Sequence, residues 1–224
     1  MSFLSELKSQ ANAVQAAKNS ALSQTQTEAE ARMIATEVAC TTIWHYMTDM
    51  VHQLNILVPD GPTFSVDGKT PWPQMKLVDF RVDSRKKTHH NGMDLFSSIG
   101  VGWEILPRKG YPEKTRVSVN FLPELQKAEA RLKAGNIWYE RYQVRHPEKQ
   151  TVQAINFEFS TEARGSITIT PDHEEGKLAF RFCNVSGLAV QTASWPIEVI
   201  NVSFLDELAK LVVSKPSRLL PTPD

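Results

Sequence analysis

A change of hydrophobic period near residue 60 constrains this chain more than any other feature. Residues 1–57 contain no Gly and no Pro and are rich in Ala, Gln, Ser and Thr, a composition that predicts helix. Ala29, Met33, Thr36, Cys40, Ile43, Met47, Met50, Leu54 and Leu57 succeed one another by alternating steps of four and three, the a/d seam of a heptad pattern. An earlier stripe, Leu4, Leu7, Ala11 and Val14, has the same period but loses its phase between Asn19 and Thr27. Two helices, or one with a break there, are expected. The seam uses Ala, Thr, Cys and Met, with Trp44 and Val51 widening it. That composition favours a long helix packed on the protein's own sheet, with self-association through the first stripe as the alternative.

From Pro59 to Pro73 the run PDGPTFSVDGKTPWP is dense in turn formers. Beyond it the period is two. Val78, Phe80 and Val82 alternate with Asp79, Arg81 and Asp83, as in a strand with one buried face. The signature recurs in Val117, Val119 and Phe121, in Ile155, Phe157 and Phe159, in Ile167 and Ile169, and in Leu178, Phe180 and Phe182. Short polar links at Asn91-Gly92, His146-Pro147-Glu148-Lys149 and Pro171 to Gly176 suit antiparallel strands, since parallel crossovers need far longer connections. Pro123 to Ala134 reads as a helix stopped by Gly135. A last helix is expected from about Ser203, its cap, to Lys215, with Leu205, Leu208, Leu211 and Val212 on its apolar face. The order is helices, about three strands, a helix, four or five strands and a helix. This is an α+β fold: an N-terminal helical region, 1–57, and an antiparallel sheet packed with helices over 58–224.

The charge balance restricts the partners. The chain carries 25 Lys plus Arg against 25 Asp plus Glu, and residues 1–112 and 113–224 are each neutral, with 11 and 14 of either sign. A protein living on phosphate contacts ordinarily shows a cationic excess, so nucleic acid is disfavoured as a partner. The two cysteines, Cys40 and Cys183, stand far apart among apolar neighbours and read as buried free thiols. No basic start followed by an apolar run, and no segment of 18 uninterrupted apolar residues, occurs in the sequence. A cytoplasmic location without membrane attachment is therefore expected.

The dense basic patch of the chain is Arg81, Arg85, Lys86, Lys87, His89 and His90, at a strand end leading into Asn91-Gly92. It is a candidate surface for a phosphate, a nucleic-acid backbone or an acidic partner. It equally suits a hairpin tip kept soluble and barred from edge pairing, with Asp79, Asp83 and Asp94 lowering its charge. Adjacent His89 and His90 point to opposite faces of a strand, and His45 and His52 are two helical turns apart. No metal and no cofactor is expected. Asp172, His173, Glu174 and Glu175 sit in a hairpin tip, where solvent denies them the shifted pKa values that catalysis needs. Gly100-Val101-Gly102-Trp103 marks a bulge or close packing. Trp44, Trp72, Trp103, Trp138 and Trp195 are core, or else line a pocket between sheet and helix. Trp72, between two prolines, is expected to be partly exposed and available as a contact residue.

The opening MSFLSELKSQA, the helical Cys40-Thr41-Thr42-Ile43-Trp44 and the closing Phe204-Leu205-Asp206-Glu207-Leu208-Ala209-Lys210 together resemble an uncharacterised family of bacterial cytoplasmic proteins. The resemblance implies a bacterial origin and carries over no active-site residue. The residues themselves point first to a non-enzymatic binding or scaffold protein that acts through self-association or a protein partner. Two alternatives stand: a small-molecule or lipid-binding protein, or an enzyme, with a pocket between sheet and helix; and nucleic-acid binding through the hairpin at 81–90.

Overall fold

The computed structural model describes residues 3–89, 92–149 and 151–219. Helix α1 runs unbroken over Phe3–Leu57, about 80 Å at 1.5 Å per residue. The break expected at Asn19–Thr27 is absent, and helix geometry accounts for it. On a straight helix roughly 25 residues make about seven whole turns. Positions 4 and 11 therefore return to the azimuth of 29 and 36, and the stripe as a whole comes back to within about 30° of the one below it. A phase lost against a repeat of 3.5 is kept against one of 3.6. The side chains of Leu4, Leu7, Ala11 and Val14 lie outside the described ones.

Eight strands follow α1: β1 (Met75–Thr88), β2 (Asp94–Pro107), β3 (Lys114–Val119), then helix α2 (Leu122–Ala134), β4 (Tyr139–Arg145), β5 (Val152–Ser160), β6 (Ala163–Asp172), β7 (Lys177–Cys183) and β8 (Val190–Pro196). A short 3-10 turn, Ile197–Val199, leads into α3 (Val202–Val212). All strand pairs are antiparallel, and the fold is α+β as the patterning predicts. The strands form two sheets rather than one, in the orders β1-β2-β6-β7-β8 and β3-β5-β4. Thr161 and Glu162 carry the chain from one to the other. Thr161 is held there by its backbone N–H on Glu113 O at 3.1 Å and by the Glu113 N–H on Thr161 Oγ1 at 3.2 Å.

The inner face of the larger sheet carries Ile99, Val101, Trp103 and Ile105 of β2, Ile167 and Ile169 of β6, and Leu178, Phe180 and Phe182 of β7, all buried. The span of α1 from Thr36 to Leu54 covers it. Thr36, Cys40, Ile43, Met47, Met50, Val51 and Leu54 are buried, whereas Ala29 and Leu57, the outer members of the seam, are exposed. Each fully buried aliphatic side chain contributes about 1.5–3 kcal/mol. Helix α3 completes the cover with Phe204, Leu205, Leu208, Leu211 and Val212. Its cap is Asn201, whose Oδ1 accepts from the Phe204 N–H at 3.1 Å, not Ser203. The Tyr46 hydroxyl donates to Asp206 Oδ1 at 2.8 Å and ties α3 to α1.

Two local irregularities adjust this interface. The register of β1 on β2 slips between Val78 and Arg81, so Leu77 and Phe80 both point inward and Val78 does not share the face of Phe80. Asp79 takes up the slip at φ +54°. The Asn55 side chain of α1 accepts from the Phe80 N–H and donates to Phe80 O, both at 2.9 Å, replacing the ladder bonds the bulge removes. Across β2, Trp103 lies over Gly165, where a Cβ would come within 2.2 Å of the indole. The close packing is thus at Gly165 of β6, against Trp103, while Gly102 meets nothing nearer than ordinary contact, and the bulge sits on the neighbouring strand.

The smaller sheet buries Val117, Val119, Ile155, Phe157 and Phe159. Phe121 is exposed at the start of α2 instead of ending the strand. The turn-rich segment packs here: Trp72 meets Phe64 edge-on at 5.3 Å and stacks on Phe159 at 5.7 Å. Trp72 is 7% exposed, contrary to the exposure expected between two prolines. Arg131 of α2 holds the segment through Val66 O at 3.0 Å. Among the described residues no helix is long and apolar enough to cross a membrane.

Asp67 organises the loop that seats Trp72. Its carboxylate accepts from the backbone N–H groups of Lys69 and Thr70 at 2.9 and 2.7 Å and from the hydroxyls of Ser65 and Thr70 at 3.0 and 2.8 Å. Burial pushes the carboxyl up, but these bonds outweigh it and hold the pKa down at about 2, below the ordinary 3.8. A depressed carboxyl stabilises the fold above its unfolded pKa and loses that contribution as pH falls. Asp67→Ala is therefore expected to lower stability in urea by about 1–2 kcal/mol at pH 7, with the gap to wild type closing as pH drops from about 4 to 2. Gly165→Ala is expected to cost about 3 kcal/mol by the same measurement, because the indole has to move.

Candidate functional site

The basic residues lie along the β1–β2 hairpin, which runs beyond the stretch of β2 paired with β6. Arg81, Arg85, Lys86 and Lys87 are exposed. A second register slip, between Arg85 and Lys86, divides the patch. Lys86 turns its ammonium over the Phe96 ring, 4.4 Å from the centroid. Among the described residues no ion pair engages Arg81, Arg85 or Lys87. His89 is half-buried and closes the tip, its N–H on Met93 O at 2.8 Å and its carbonyl accepting from the Gly92 N–H at 2.9 Å. His90 lies outside the described residues. Trp72, stacked on β5, is part of the other sheet's core and does not join the hairpin.

Sequence reasoning missed the group that fixes where α1 leaves the body. Glu37 Oε1 accepts from the Phe96 N–H at 2.8 Å and meets His173 Nε2 at 2.8 Å. Because a carboxylate only accepts, the imidazole donates from Nε2. The two side chains are 18% and 17% exposed. The tip holding His173 is thus docked against the helix rather than solvated, while Asp172 caps its turn by accepting from the N–H groups of Glu174 and Glu175 at 3.2 and 3.0 Å. Glu37 carried a signal in the sequence: it is the one carboxylate or ammonium-bearing residue between Arg32 and Asp49.

Above this clamp a described stretch of the helix is exposed. Every residue from Gln24 to Arg32 is exposed. Nine consecutive residues cover all azimuths of a helix more than twice, so this stretch is open to solvent all round; at its lower end the side chain of Arg32 comes close to the β6–β7 turn at Gly176. Below it, Cys40 is fully buried, and burial, with a smaller contribution from the Glu37 charge, pushes its thiol up to about 12. Cys183, expected to be buried, is half-exposed and accepts from Arg181 Nη1 at 2.9 Å. Among the tryptophans, Trp103 is buried in the larger sheet, Trp44 and Trp195 are partly buried against the core, and Trp138 is 69% exposed.

Compared with protein-family models, curated proteins and solved structures, the chain matches none.

Glu37→Ala removes the acceptor for a buried backbone N–H and for His173 together, and is expected to lower stability by about 1–3 kcal/mol in urea unfolding. Glu37→Gln, which keeps an acceptor oxygen, is expected to recover part of that loss.

Proposed function

We propose that this is a non-enzymatic binding or scaffold protein, working in the cytoplasm, that assembles with a second copy of itself through residues 3–35 of α1. The observation that supports the reading is the all-round exposure of Gln24 to Arg32 on an unbroken helix. From Phe3 to the clamp the helix reaches roughly 50 Å. Helices gain most of their stability from packing an apolar face, and this segment uses Asn, Ser and Thr freely, residues of middling or low propensity. Its apolar positions continue the azimuth that lower down packs on the sheet, so one stripe serves the body and then runs on beyond it.

A second copy suits the charge distribution. Glu6, Lys8 and Lys18 sum to one positive charge, and Glu28, Glu30 and Arg32 to one negative charge. Antiparallel pairing sets the basic half of one segment against the acidic half of the other.

Light scattering on the full chain is expected to give a mass above the 25.2 kDa of one chain, and on a Δ1–25 variant the mass of a monomer. The thermal midpoint of the truncated body is expected to stay unchanged, since the buried core cluster begins at Cys40. Monomers in both cases overturn the reading. Retention of both proteins on DNA that weakens steeply with salt, with no change of mass, would favour the hairpin cations Arg81, Arg85 and Lys87 as the working surface instead.

A further inference from the structure

On the side of the larger sheet away from α1 there is a cavity of about 760 Å³, within the range usual for small-molecule sites. Its floor is the outer face of β2, β6 and β7, and its wall is the turn from α2 into β4. Asn184 builds it. Buried to 2% exposure and in the left-handed region at φ +54°, this residue donates from Nδ2 to Gly135 O on the wall and to Arg164 O on the floor, both at 2.9 Å.

The lining has an unusual inventory. Trp138 stands on the wall 69% exposed, its indole offering an apolar plane to the solvent side. Glu104 and Arg164 are register partners on β2 and β6, and Glu162 precedes β6. Among the described residues none of these three enters an ion pair. Among the described residues the Arg181 guanidinium bonds to Cys183 Sγ and enters no ion pair. Two carboxylates and two guanidiniums thus face one cavity with most of their hydrogen-bonding capacity unspent, beside the ammonium of Lys133, which is paired with Glu129 at 3.0 Å.

We propose that this cavity binds a neutral saccharide stacked on Trp138. Carboxylates only accept hydrogen bonds and guanidiniums only donate them, whereas a hydroxyl does both. Neighbouring hydroxyls of a sugar can therefore satisfy Glu104 and Arg164 together, and the C–H face of the ring meets the indole. An anionic ligand such as phosphate would meet the guanidiniums but leave Glu104 and Glu162 facing a like charge, with no donor for their oxygens. A purely apolar ligand would strip water from these charges and return nothing. Specificity follows from the same groups, because a buried donor or acceptor left unmet by the wrong sugar costs binding.

The test uses the full-length protein, which keeps it independent of the assembly proposed for α1. Indole N–H resonances and tryptophan fluorescence are followed while glucose, galactose, N-acetylglucosamine, maltose and cellobiose are titrated, with sodium phosphate and leucine as anionic and zwitterionic comparators. At least one sugar is expected to bind saturably at millimolar concentration. Trp138→Ala is expected to abolish that binding with an unchanged unfolding midpoint, since the side chain is exposed, and Glu104→Gln to weaken it by about tenfold. Failure of every sugar to bind, binding that survives both substitutions, or saturation by phosphate or leucine in place of a sugar overturns the proposal.

Discussion

A five-stranded sheet with one apolar face has to be sealed along that face, and the sealing sets most of what surrounds it. Trp103, Phe180 and Phe182 present a wide apolar surface that no short helix could cover. The span from Thr36 to Leu54 of α1 does so lengthwise, with α3 filling the margin. The polar contacts of the interface follow from this placement. Asn55 meets the unpaired backbone at the β1 bulge, Glu37 meets Phe96 and His173 at the other end, and Tyr46 reaches Asp206. The first two satisfy groups that burial would otherwise leave unbonded, and the third is an exposed tie between the two helices.

Element order was legible in the sequence because it depends on local periodicity. Three strands, a helix and five strands match the alternation and the turn chemistry. The division into two sheets was not legible, because it is decided by pairing between distant strands. Two residues, Thr161 and Glu162, make the transfer, and nothing in their identity distinguishes them from a hairpin link. The bulge at Asp79 escaped for a similar reason: a run reading Val-Asp-Phe-Arg-Val-Asp alternates well, and only the partner strand reveals that Leu77, not Val78, shares the face of Phe80. The supposed break in α1 came from counting in heptads along a straight helix.

Site residues were harder to read. Trp72 looked exposed between prolines, yet its flanks only position the ring against Phe64 and Phe159. Trp138, which follows the helix-ending Gly135, had the same aromatic signal and is the one that faces outward. A pocket was expected under the helix, where the facing side chains of α1 and the five-stranded sheet belong to one buried core cluster. The cavity lies across the sheet, lined by Glu104, Arg164 and Arg181, residues that alternation marks only as outward-pointing. Asn184 shows no sign of its role in sequence, since its two partners are 49 and 20 residues away.

The two thiols differ in a way that experiments can exploit. Cys40 is sealed beneath α1 with its proton held far above neutral pH, whereas Cys183 sits half-open on the rim of the cavity. A maleimide dye or spin label added to the unaltered chain has one reachable attachment point. Fluorescence quenching or electron paramagnetic resonance from that position would report on the outer face of the sheet without any engineered cysteine.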